Sequence, residues 1–339
     1  MGASLARGNL RRETQGGDRP CERQPPRAVS AAVPTSPPPP PADGLKSEPL
    51  RRALAAALAG KPNDLETWLC RYGLGAEPRP NLKLATALAA ELCASPAAPR
   101  LLARFAANDA APDTPEVFLP IAAAYGWAAR IAAGRDPREG WHALGELAGD
   151  ERAPVRLGTR EALLVHALRP GGGAELLSAA TDWLQHEDRE LRYGAAGVAL
   201  EVLGDRRVVA SIGSPQPLLD YLTAVIDELA AAPRAAERSD ARRRLLLALP
   251  AACGAAVVNL RRADLGASWL EGECTRARQP DVRGALSDAI LGLRHVAPGP
   301  GAETIQRLRS ALEGSAKPPR DPTRRRPGTG RGRESRRMK

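Results

Sequence analysis

Few residue groupings in this chain combine the side-chain types and spacing that chemistry needs. His186-Glu187-Asp188-Arg189-Glu190 comes near a helix-borne metal site, which takes histidines at i and i+4 so that both imidazoles share one face. Glu190 stands where the second histidine belongs. The histidines at 142, 166, 186 and 295 are scattered, as are Cys21, Cys70, Cys93, Cys253 and Cys274, and no Cys-x-x-Cys pair occurs. Neither a zinc site nor a disulfide framework is expected. Gly171-Gly172-Gly173 reads as a turn between helices, because no strand precedes it to make a phosphate loop. No cofactor is expected. The remaining pattern is a set of arginines, Arg156, Arg192, Arg243 and Arg283, spaced by 36, 51 and 40 residues. Guanidinium groups in a row can line a surface and touch phosphates. They can equally pair with the acids that accompany them, Asp188 and Asp281 among them, as a structural ladder.

Charge favours the ladder. The chain carries +10, but residues 315–339 hold ten basic and two acidic residues, and residues 1–50 hold seven and five. Residues 51–314 are balanced at 32 of each sign. The basic character belongs to the C-terminal tail, where Arg324, Arg325, Arg326, Arg331, Arg333, Arg336 and Arg337 are candidates for non-specific polyanion contact.

The elements that would position these groups are helices. Hydrophobic residues make up 43% and aromatics only 3%, with Ala and Leu, strong helix formers, in excess. From about 46 to 314 the spacing predicts some fourteen helices with short connections and no strand. Ser95-Pro96, Thr114-Pro115 and Asp136-Pro137 read as helix starts, and Gly60, Gly73 and Gly134 as C-terminal caps. The apolar run from Val117 to Ala129 is too short to span a bilayer and is expected to be a buried helix. The five tryptophans, 68, 127, 141, 183 and 269, all fall in helical segments and are expected to pack between helices. Residues 1–45, with Pro37 to Pro41, and 315–339 lack the apolar content to fold and are expected to be disordered. No apolar leader opens the chain, so a cytoplasmic location is expected, with no membrane contact.

One helical pattern recurs. Val155-Arg156, Leu191-Arg192 and Val282-Arg283 each lead into apolar residues at helical spacing, a degenerate copy begins at Arg242-Arg243, and Asp150, Asp188, Asp240 and Asp281 precede the pairs. Each copy follows another predicted helix. An acid shortly before (Val/Leu)-Arg-x-x-Ala-x-x-(Ala/Val)-(Ala/Leu), best seen over 188–205, resembles the second helix of HEAT repeats. The resemblance covers about 137–296. It implies an all-α, right-handed solenoid of antiparallel helix pairs, working as a scaffold or adaptor that binds a protein through a concave face. Within the same stretch, Trp183 to Asp188 followed by Arg192 resembles the Trp-plus-acid segment of DNA alkylation-repair glycosylases built from HEAT-like repeats. That likeness implies a second reading, in which Trp183, Glu187 or Asp188, and Arg192 handle a damaged base. It departs from the pattern in having Glu187 where an aspartate is usual. The oligomeric state is open.

Overall fold

The computed structural model describes residues 48–74, 80–260, 263–296 and 299–315. The expectations for residues 1–45, and for the tail arginines 324, 325, 326, 331, 333, 336 and 337, lie outside these. Among the described residues the chain is all-helical, with one isolated β-bridge, Leu74 to Pro80, in place of any sheet. The α-helices are α1 (Glu48–Leu58), α2 (Asn63–Tyr72), α3 (Leu82–Ala94), α4 (Ala98–Ala106), α5 (Phe118–Ala132), α6 (Pro137–Gly149), α7 (Ala153–Ala167), α8 (Gly172–Trp183), α9 (Arg189–Leu203), α10 (Arg206–Ser211), α11 (Pro215–Ala231), α12 (Asp240–Asn259), α13 (Ala263–Arg276), α14 (Pro280–Leu293) and α15 (Ala302–Gly314). None is long and apolar enough to cross a membrane.

Local chemistry sets the helix ends. Asn81, Asp188, Asp205 and Ser239 accept backbone N–H groups from the first turns of α3, α9, α10 and α12. Gly60, Gly134 and Gly171 take positive φ at turns, where only glycine is free of strain. Two expected helix starts are displaced. Ser95 Oγ accepts from the Ala97 amide and forms a turn, so α4 begins at Ala98. Thr114-Pro115 opens a short 3-10 segment, Pro115–Val117, that runs into α5.

The apolar run predicted to be buried becomes α5, and thirteen of its fifteen residues are buried. Its neighbours come close because small residues let them. A Cβ on Gly126 would meet Leu102 of α4, and one on Gly158 of α7 would meet Ile121. The single charge in α5, Arg130, is 3% exposed. It bonds Asp136 and donates to the carbonyls of Leu92 and Ser95, so it ties the end of α3 to the start of α6. Asp136 has φ 48°, the one positive φ on a non-glycine residue among those described.

Contacts run along two series. In the first, α3 packs on α5, α5 on α7, α7 on α9, α9 on α12 and α12 on α14. In the second, α4 meets α6, α6 meets α8, α8 meets α11, α11 meets α13 and α13 meets α15. The helices carrying Arg156, Arg192, Arg243 and Arg283 all belong to the first series. The 51-residue interval between Arg192 and Arg243 has a physical origin. The short α10, packed on α8, α9 and α12, is inserted there, along with the 3-10 segment Arg234–Arg238.

Candidate functional site

The repeated arginines act mainly on backbone. Arg156 donates to the Asp150 carbonyl at 2.8 Å, Arg192 to that of His186 at 2.8 Å, and Arg243 to that of Arg238 at 3.1 Å. Each closes the turn before its own helix, where the last carbonyls of the preceding segment lack partners. Arg283 instead bonds the hydroxyl of Ser315, the buried residue that ends α15. Carboxylates enter between elements. Arg192 meets Glu228 of α11 at 2.9 Å, and Arg242 meets Asp281 at 2.6 Å. Arg242, at 4% exposure, sits where the other copies carry Val155, Leu191 and Val282. Its guanidinium holds the Asp281 carboxyl below the usual carboxylate range. Arg243 lies exposed beside Asp240. The buried charge of this copy is therefore one residue earlier than the spacing indicated.

Trp183, Glu187, Asp188 and Arg192 do not converge on an open space. The Trp183 ring is buried, edge-on to Trp141 at 6.2 Å between centroids, and its indole N–H donates to the Trp141 carbonyl at 3.1 Å. A Cβ on Gly145 would strike its Nε1, so α6 covers that edge. Asp188 accepts the amides of Glu190 and Leu191 as the cap of α9, Glu187 is exposed, and Arg192 turns to Glu228. Stacking a base needs an open aromatic face, which Trp183 lacks.

One ionisable cluster went unseen in the sequence. His166, 2% exposed, places Nε2 3.0 Å from Glu175 Oε2 and Nδ1 3.4 Å from an Arg169 nitrogen, with its ring edge-on to Trp141. Arg169 also donates to the Ala132 carbonyl. Burial pushes the His166 pKa down, against the pull of Glu175. With Arg169 as donor to Nδ1, the neutral ring carries its proton on Nε2 and bonds Glu175. The cluster joins α5, α6, α7 and α8, and its polar atoms are already paired. Nine residues separate His166 from Glu175 across the Gly171 turn, so helical periodicity gave no signal.

Among the described residues no group of three or more His, Cys, Asp or Glu side chains is placed to hold a metal. The described cysteines are free thiols. Burial raises the pKa of Cys70 to about 11 and of Cys274 to about 12, and pushes Cys253 higher still, which leaves them poor nucleophiles.

The feature that packing leaves unexplained is apolar. Among the described residues, Leu157, Val165, Leu168, Leu247 and Leu291 are the exposed large hydrophobics, at 38% to 79% exposure. Leu157 and Val165 lie on α7, Leu168 directly follows it, Leu247 is on α12 and Leu291 on α14. Four of the five lie on helices of the first series, the fifth directly follows one, and none lies on the second. Charges of both signs stand among them, with Arg160 of α7 bridging to Glu201 of α9 at 3.3 Å. Leu291 also borders a cleft of about 500 Å³ between α14 and α15, with Arg283 and Arg309 in its wall. No protein-family model, no curated protein and no solved structure matches this chain.

Proposed function

We propose that this protein is a non-catalytic scaffold of the cytoplasm that binds a protein partner. Its helices are read as HEAT-like antiparallel pairs in a right-handed solenoid, with α7, α9, α12 and α14 lining the concave face. The two parallel series of contacts support the solenoid, since stacked pairs touch only their neighbours. One observation carries the function: the exposed large hydrophobics among the described residues lie on, or directly after, one series of helices, among charges of both signs. Exposed apolar side chains rimmed by polar ones mark protein interaction sites. A nucleic-acid surface would instead be dominated by Lys and Arg.

The test is affinity capture from the native host with the intact chain and with Val165→Asp and Leu247→Asp variants. A partner retained by the intact chain and lost by both variants supports the reading. Equal retention removes it. The same reading expects no release of methylated bases from alkylated duplex DNA, and release abolished by Trp183→Ala would replace it with the glycosylase reading.

The tail supports a second, separate activity. Eight net positive charges over residues 315–339 suit non-specific polyanion binding. If about five of them contact phosphates, affinity for duplex DNA should fall with a log–log salt slope of about −4 to −5. A chain ending at Gly314 with the same affinity and slope would dismiss the tail.

A further inference from the structure

Arg244 differs from the arginines around it. Arg156, Arg192, Arg242, Arg243 and Arg283 each have an acceptor described above. Arg244 is half-buried, its Nε is fully enclosed, and among the described residues no hydrogen bond or ion pair holds its guanidinium. The acids nearby are engaged elsewhere: Glu201 with Arg160, Asp240 with Arg243, Asp150 with Arg152, and Glu190 with the Ser239 hydroxyl. The charge of Arg244 is also felt across α9. The Arg156 pKa is lowered first by burial and then by Arg244.

Arg244 stands where α12 packs on α9. α9 is covered by its neighbours there, its residues from Tyr193 to Leu200 all being buried. Gly197 lies under the backbone of Arg244 and Leu245, and Gly204 lies under Ala251. On α12, Leu247 lies one turn beyond Arg244 and is 79% exposed. On α7, which also packs on α9, Arg160 pairs with Glu201, and Leu157 and Val165 are exposed. The α7 stripe from Leu157 to Leu168 rises about 16 Å, the length of about three helical turns.

We propose that the exposed face of α7 and α12 takes an amphipathic helix from the partner protein, whose carboxylate bonds Arg244 while its apolar side chains cover Leu247 and the α7 stripe. The inference rests on the protein-binding reading and narrows it to one kind of partner segment. A carboxylate on a partly desolvated guanidinium makes a charge-assisted bond, and apolar anchors at helical spacing set the register.

The test is selection of phage-displayed random peptides of about three to four turns on the full chain, with counter-selection on Leu247→Asp. Enriched peptides should carry Asp or Glu three or four positions from Leu, Ile or Phe. In fluorescence anisotropy, Arg244→Glu should weaken them by about tenfold or more, and exchanging the peptide acid for lysine should restore affinity to that variant. Thermal melts followed by circular dichroism check that both variants fold. No enrichment, enriched peptides without an acid, or peptides indifferent to Arg244→Glu would each overturn the proposal. If Val165→Asp and Leu247→Asp abolish native partner capture while Arg244→Glu leaves it unchanged, the scaffold reading stands and the acidic helix falls.

Discussion

α5 and α7 pack against each other and each is fifteen residues long, yet they meet solvent in opposite ways. α5 is apolar on every side and touches α2, α3, α4, α6 and α7, so it is enclosed and its one charge is neutralised within. α7 touches α5, α6, α8 and α9, buries Val155, Ala162 and Leu163, and leaves Leu157 and Val165 in water. A helix that is hydrophobic all round belongs in a core. A helix with one face covered and a second apolar stripe uncovered has surface that folding does not use. The difference separates the part of this protein that stabilises it from a part that packing leaves uncovered.

The sharpest way to break the comparison is to damage α5. Ile121→Ala removes a fully buried side chain against Gly158 and should cost about 2–5 kcal/mol by denaturant unfolding. A loss below about 1 kcal/mol would mean that α5 is not the centre of the core. Arg130→Ala comes next. It strands Asp136 and takes a donor from the carbonyls of Leu92 and Ser95, so a loss of about 3 kcal/mol is expected. A fully stable variant would show that this charge is tolerated rather than used.

A smaller effect tests the joint between α7 and its neighbours. The folded pKa of His166 lies below its unfolded value, so folding favours the neutral ring. Its contribution is complete above about pH 6.5 and declines as pH falls, because the unfolded chain takes the proton first. The stability gap between the native protein and His166→Gln should shrink by about 1.4 kcal/mol per pH unit below that point, down to the folded pKa. A gap independent of pH would refute the assignment. Smallest of all, Val165→Ser and Leu247→Ser should each change stability by no more than about 0.5 kcal/mol. A loss above about 2 kcal/mol at either site would make the exposed stripe a structural element.

Helical periodicity was enough to find the all-helical body, the buried run from Val117 to Ala129, the caps at Gly60 and Gly134, and the recurring helices that became α7, α9, α12 and α14. These follow from interactions within a few residues, where the 3.6-residue period and backbone geometry act. The register of the third copy was not legible, because Arg242 and Arg243 are equally basic, and only the position of Asp281 determines which one is buried. Nor could the sequence show that Trp183 meets Trp141, that His166 meets Glu175, or that Arg130 reaches the end of α3. Most of these contacts join residues some forty positions apart, and no local pattern encodes them. Periodicity tells which face of a helix is apolar. Whether a neighbour covers that face, as on α5, or leaves it open, as on α7, depends on where the other helices come to rest, and only the tertiary structure decided that.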